Sequence, residues 1–317
     1  MKLIAAILTV SLVASFGYDA FGGPCPDVPG ISGNLVFFYY KDLAGAKKFY
    51  EETLGLPLVL DYSFAVIYRI SESSFVGLVD EKKGMHTTAE PKTVTLAFVT
   101  DEVDGWFQYL SERGVAIKSP LKDSASINVR GFVALDPEGY FLEFENFLEA
   151  PRNAGIRESL KKVRPLYPGA GARPTDQTAR PAGLGLRATV FWLYYNDLIP
   201  AQKFVEDVFG QTLLVDQGFS KVYPSSNSGF IGLVDQARGL HRFSETKSVN
   251  VVFQTPHLEA WFERFKSRGI KIKSELGGAE GSLVRAFVAL DPAGYFLEFH
   301  WFKPDPKNEA ILKILKK

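Results

Sequence analysis

Cysteine is almost missing from this 317-residue sequence: the single Cys25 excludes any disulfide within the chain. Charge of one sign is missing too. Lys plus Arg and Asp plus Glu both number 36, so the formal net charge is zero. That excludes the basic footprint expected of a protein that binds nucleic acid or an anionic membrane surface. Long apolar runs are confined to the N-terminus. Beyond it none approaches the roughly 20 residues a membrane-crossing helix needs, so no span is expected in the mature chain. Histidine is scarce, with four positions available for metal or acid–base chemistry: His86, His241, His257 and His300.

What is present is apolar and aromatic. Hydrophobic residues make up 46%, enough for sizeable cores, with 26 Phe and 13 Tyr. The N-terminus carries Lys2, the uncharged apolar run Leu3–Phe16, then small residues. This is the layout of a secretory signal over residues 1–23, which predicts a secreted or periplasmic protein; the competing reading is a buried N-terminal helix. Cys25 follows Gly22, Gly23 and Pro24. A proline directly before the cysteine fits a lipidation site poorly, so Cys25 reads as an ordinary thiol, with lipidation as the alternative.

The decisive feature is an internal repeat. VFFYYKDLAGAKKFYEETLG (36–55) matches VFWLYYNDLIPAQKFVEDVFG (190–210), FVGLVDEKKGMH (75–86) matches FIGLVDQARGLH (230–241), and RGFVALDPEGYFLEF (130–144) matches RAFVALDPAGYFLEF (285–299). Tyr40 and Tyr195, His86 and His241, Trp106 and Trp261 all stand 155 residues apart. The expected organisation is a first domain over 33–149, a linker over 150–186, a second domain over 187–304 and a tail with helical character over 305–317. The linker is rich in Pro, Gly, Ala and Arg, with a short helix predicted near Glu158–Val163.

Each copy divides again. A β-rich run to Tyr40 precedes Asp42, a helix N-cap, and Gly55 suits a helix stop. Three short strands follow, and the pattern restarts at Val94. Val103, Trp106, Phe107 and Leu110 then fall at i, i+3, i+4 and i+7 of a second helix ended by Gly114. Asp136-Pro137-Glu138-Gly139 is a turn between the last two strands. Each copy therefore reads βαβββ–βαβββ, an α+β chain of four modules.

The order DLAGAKKFYEETLGL, SERGV and ALDPEGYFLEF resembles the vicinal oxygen chelate superfamily, which contains glyoxalase I, bleomycin-resistance proteins and extradiol dioxygenases. The resemblance covers about 33–149 and 187–303. It implies curved mixed sheets around a cavity, with a divalent metal held by side chains on the first and last strands of the modules. Carried over residue by residue, those metal positions fall on Leu35 and Val190, Gly77 and Gly232, Thr95 and Asn250, and Glu143 and Glu298. Only Glu143 and Glu298 are good ligands, with Asn250 a weak helper. The usual metal centre is therefore expected to be degenerate, and no cofactor is expected; Zn, Fe, Mn or Ni on Glu143 or Glu298 is the alternative.

Other residues are candidates by type and spacing. Glu298 and His300 are two apart on one strand, so they share a face and form the best acid–base pair. Phe37 and Tyr39, with Trp192 and Tyr194, should wall a cavity. His86 and His241 are candidates for the cavity rim, and His257 reads as solvated. Arg130 and Arg285 would bind a carboxylate if they point inward, or else neutralise Glu143 and Glu298. The leading expectation is a protein that binds a small apolar or aromatic molecule. A metal-dependent lyase, isomerase or dioxygenase and a non-catalytic interaction scaffold are the alternatives. Pairing of the two copies, or a homodimer, is compatible with the linker.

Overall fold

In the computed structural model the described residues are 28–171, 179–278 and 280–316. The expected signal segment and Cys25 lie outside them. Four βαβββ modules are present. The first contains β1 (Gly33–Tyr40), α1 (Leu43–Lys48), β2 (Leu58–Asp61), β3 (Ala65–Arg69) and β4 (Ser74–Asp80). The second contains β5 (Val94–Val99), α2 (Val103–Glu112), β6 (Ile117–Ser124), β7 (Val129–Leu135) and β8 (Phe141–Phe147). Helix α3 (Ala154–Lys161) then leads to the second copy. Its first module contains β9 (Ala188–Tyr195), α4 (Leu198–Phe209), β10 (Val215–Asp216), β11 (Ser220–Ser226) and β12 (Gly229–Asp235). The last contains β13 (Asn250–Gln254), α5 (Leu258–Ser267), β14 (Ile272–Gly277), β15 (Val284–Leu290) and β16 (Phe296–Phe302), and α6 (Glu309–Leu315) follows.

Local chemistry explains the boundaries. The Asp42 carboxylate accepts the N–H of Gly45, and Asp197 accepts that of Ile199, so both capping aspartates start their helices. Gly210 ends α4 at φ 62°, a left-handed position that glycine occupies without a Cβ clash. In the Asp136 turn one carboxylate oxygen accepts the N–H groups of Glu138 and Tyr140 at 3.0 and 2.8 Å. The linker helix begins at Ala154, four residues earlier than the expected one.

The sheets do not follow the repeat. One has the order β14-β15-β16-β13-β1-β4-β3-β2, the other β10-β11-β12-β9-β5-β8-β7-β6. Each eight-stranded sheet thus draws one module from each copy, joined by antiparallel pairs that set Phe37 opposite Asn250 and Thr95 opposite Trp192. The copies pair with each other throughout.

Alternation along the strands separates two faces. Val36, Phe38 and Tyr40 pack under the helices in the main core, with Trp106, Phe132 and Phe144. Leu35, Phe37 and Tyr39 belong to the opposite, concave face. One end of each concave face is closed by a helix outside the strands. Helix α6 places Ile311, Leu312 and Leu315 against Leu35 and Val252, and α3 places Ile156 against Val190 and Phe147. These plugs are themselves repeated. Asn153 Nδ2 donates to the carbonyls of Asn128 and Leu148, and Asn308 Nδ2 to those of Leu283 and Lys303, all at 2.9 Å.

Candidate functional site

Each concave face holds a cavity. The first is about 470 Å³, and its walls include Phe37, Tyr39, Tyr62, Ile67 and Phe302. The second is about 310 Å³, walled by Trp192, Tyr194 and Phe219. Side chains have not filled either space.

The floor of the first cavity is a short polar chain. Asn250 Nδ2 donates to Glu298 Oε2 at 2.6 Å, and Glu298 Oε1 lies 2.8 Å from His300 Nδ1. The expected same-face pairing of Glu298 and His300 is therefore present. His300 is 2% exposed, and its Nε2 is buried without a partner among the described residues. Burial, then the charge of Glu298, holds the Tyr39 phenol well above its usual pKa, so it stays a neutral hydroxyl.

The second cavity has the same frame and a different floor. Glu143 corresponds to Glu298 and Glu145 to His300, at the repeat offset. Thr95 replaces Asn250, and its hydroxyl lies 2.7 Å from the Tyr194 hydroxyl. Burial pushes the Glu143 carboxyl up to about 7, against the pull of Lys122. Burial, then the charge of Glu143, pushes Glu145 well up, with the Trp192 side chain opposing.

The other candidates fall outside the cavities. His86 packs 4.5 Å from the Phe296 ring and 5.2 Å from Tyr39, with Nδ1 2.6 Å from Glu90. His241 lies 4.2 Å from Phe141 and 4.9 Å from Tyr194, and burial lowers its pKa to about 4. Both histidines stand behind the wall tyrosines rather than in the lining of either cavity. Arg130 and Arg285 correct the inward expectation. Arg130 binds Asp104 of α2 and Asp123 of β6, each at 2.6 Å, and Arg285 binds Glu259 of α5 at 2.8 Å. Their strand parity turns them to the helix-covered side, so neither meets Glu143 or Glu298.

The metal positions also shift. Leu35 is buried under α6, and it is Phe37 that stands beside both Gly77 and Asn250 in the sheet. A Cβ at Gly77 would lie 2.2 Å from the Phe37 ring, and one at Gly232 would lie 2.0 Å from the Trp192 ring. Aromatic rings thus occupy the ground where two ligands would project. Asn250 and Glu298 are bonded to each other. Among the described residues no group of three or more His, Cys, Asp or Glu side chains could hold a metal. This donor set does not fit the metal centre that the fold implies.

Sequence reasoning missed Tyr62 and Phe302. Phe302 was readable, because it continues the alternation of Glu298 and His300. Tyr62 was not, because it stands just past the end of β2, outside the strand alternation; its hydroxyl donates to Asn308 of the α6 turn.

Residues 34–144 match the family model described as the Glyoxalase/Bleomycin resistance protein/Dioxygenase superfamily. Glyoxalase I from Zea mays is similar in structure at 17% identity and a TM-score of 0.58, over 90% of this chain and 95% of that one. A putative dioxygenase from Bacillus subtilis subsp. subtilis str. 168 is similar at 12% identity and a TM-score of 0.61, over 92% and 91% of the two chains. No curated protein matches the sequence. Residues 34–144 are thus similar to the domain of the glyoxalase/bleomycin resistance protein/dioxygenase superfamily, and the chain shares the two-sheet fold of these structures.

Proposed function

We propose that this protein binds a small apolar or aromatic molecule in the first cavity without the family's usual metal centre. The observation that carries this reading is the form of the cavity: about 470 Å³, aromatic and aliphatic walls, and one polar floor of Asn250, Glu298 and His300. Such a site buries a flat apolar body and orients one polar group. Export through the signal segment is part of the proposal, supported by the sequence pattern of residues 1–23. N-terminal sequencing of the mature protein should begin beyond that segment; protein retained in the cytoplasm with Met1 intact would overturn it.

Calorimetry with 1-naphthol and its isomers tests the binding reading. Wild-type protein should bind, and Phe37→Ala and His300→Ala should each weaken binding about tenfold or more. Unchanged affinity in both variants sinks the proposal. Zn²⁺, Fe²⁺, Mn²⁺ and Ni²⁺ should leave the melting temperature unmoved; stoichiometric metal lost on Glu298→Gln would overturn the metal-free reading.

One observation favours a second, enzymatic reading. Glu298 orients His300 through Nδ1 and leaves the buried Nε2 without a partner among the described residues. That is the arrangement of a general base held by a carboxylate. It predicts solvent-deuterium exchange into a carbonyl-bearing ligand, abolished by His300→Gln with affinity retained.

A further inference from the structure

The second cavity is independent of the reading above and differs from the first in the chemistry of its floor. Two carboxyl groups, Glu143 and Glu145, line it where the first cavity has a carboxylate and an imidazole. Glu145 is 2% exposed, and its Oε1 has no partner among the described residues. A separate observation marks the space as a site for a polar guest. Gln217 also lines it, 8% exposed, and its side-chain N–H group has no partner among the described residues. Buried polar atoms left unmatched are costly, and a ligand that engages them removes that cost.

The sign of the guest follows from what faces the carboxyl groups. Lys122 of β6 and Arg238, after β12, also line the cavity, and both residues are exposed at its mouth. Arg238 is held over the Phe219 ring at 4.4 Å. Tyr194 of β9 faces the same space as a neutral phenol, because burial holds its pKa well up. No histidine lines the cavity. An anion reaching the floor would meet two carboxyl groups, whereas a cation there gains charge-assisted hydrogen bonds in a partly dry space.

We infer that the second cavity binds an organic cation, an arylalkyl amine or aromatic amidine whose head lies at Glu143 and Glu145 and whose ring lies against Trp192 and Tyr194. Its volume of about 310 Å³ admits a single-ring molecule.

Benzamidine, benzamide and benzoate are matched probes of cationic, neutral and anionic head groups. Titration calorimetry of the full chain at pH 7.5 should show benzamidine binding at least about tenfold tighter than the other two. Glu145→Gln and Glu143→Gln should each reduce benzamidine affinity about tenfold, with unfolding curves confirming that each variant folds. The inference is overturned if benzamide or benzoate binds as tightly as benzamidine, or if both variants keep full benzamidine affinity. Because 1-naphthol binding is read at Phe37 and His300, failure here is distinguishable from failure of the first-cavity proposal.

Discussion

Ser73 and Ser228, 155 positions apart, clasp each other across the middle of the molecule. Each donates its backbone N–H to the other's hydroxyl, at 2.7 and 2.8 Å, and the hydroxyls lie 3.0 Å apart. A residue bonded reciprocally to its own repeat marks a pseudo-twofold axis, the geometry of an isologous dimer built into one chain.

The first prediction follows from that symmetry. A half-chain of residues 28–165 lacks the partner strands of β1 and β5, so it should form a homodimer rather than a folded monomer. Light scattering after size exclusion checks this. Co-expression with residues 179–316 should give a one-to-one complex.

The tyrosines of the DPxGY turns bind the copies from the sides. The Tyr140 hydroxyl lies 2.7 Å from the Ser248 carbonyl and accepts the Tyr39 N–H at 2.9 Å. Tyr295 does the same with Thr93 at 2.6 Å and Tyr194 at 2.8 Å. Tyr140→Phe orphans a buried N–H and should cost about 1–3 kcal/mol. Tyr295→Phe should cost a similar amount, read from urea unfolding.

Gly77 makes room for the Phe37 ring. Gly77→Ala places a Cβ 2.2 Å from that ring, so the ring must leave its position. Destabilisation of about 1–3 kcal/mol is expected, with most of it recovered in Gly77→Ala/Phe37→Ala. Additive losses in the double mutant cycle would show that the two positions are not coupled.

Glu143 makes stability depend on pH. Its folded pKa, about 7, stands above its ordinary value of 4.5 because burial disfavours the charge. The folded state therefore binds the proton more tightly. The stability this contributes is full below about pH 4.5 and lost as pH rises through about 7. Glu143→Gln should be more stable than wild type at pH 8, by about 1–2 kcal/mol after allowing for solvent in the cavity, and nearly equal at pH 4.5. Thermal unfolding across that range is the measurement.

Much of the local structure was legible because it is written in short range. Asp42 and Asp197 cap helices through neighbours two or three residues on, and the DPEGY turn bonds within five residues. Strand alternation correctly placed Phe37 with Tyr39, and Glu298 with His300, on shared faces. The repeated plugs were also readable, since Pro151 and Asn153 match Pro306 and Asn308 at the same offset, although the tail and linker were set apart from the domains.

The site required the tertiary structure. A strand edge cannot state in sequence which of two equivalent edges it will meet, and β1 meets β13 of the other copy. That pairing decides which residues share a cavity, setting Phe37 and Tyr62 with Asn250 and His300, and Glu145 with Trp192 and Gln217. Periodicity and capping fixed four modules in one chain, because those signals act between near neighbours. The chemistry of the two cavities was decided across the pseudo-twofold axis, by contacts between residues of different copies such as Phe37 with Asn250 and Thr95 with Tyr194.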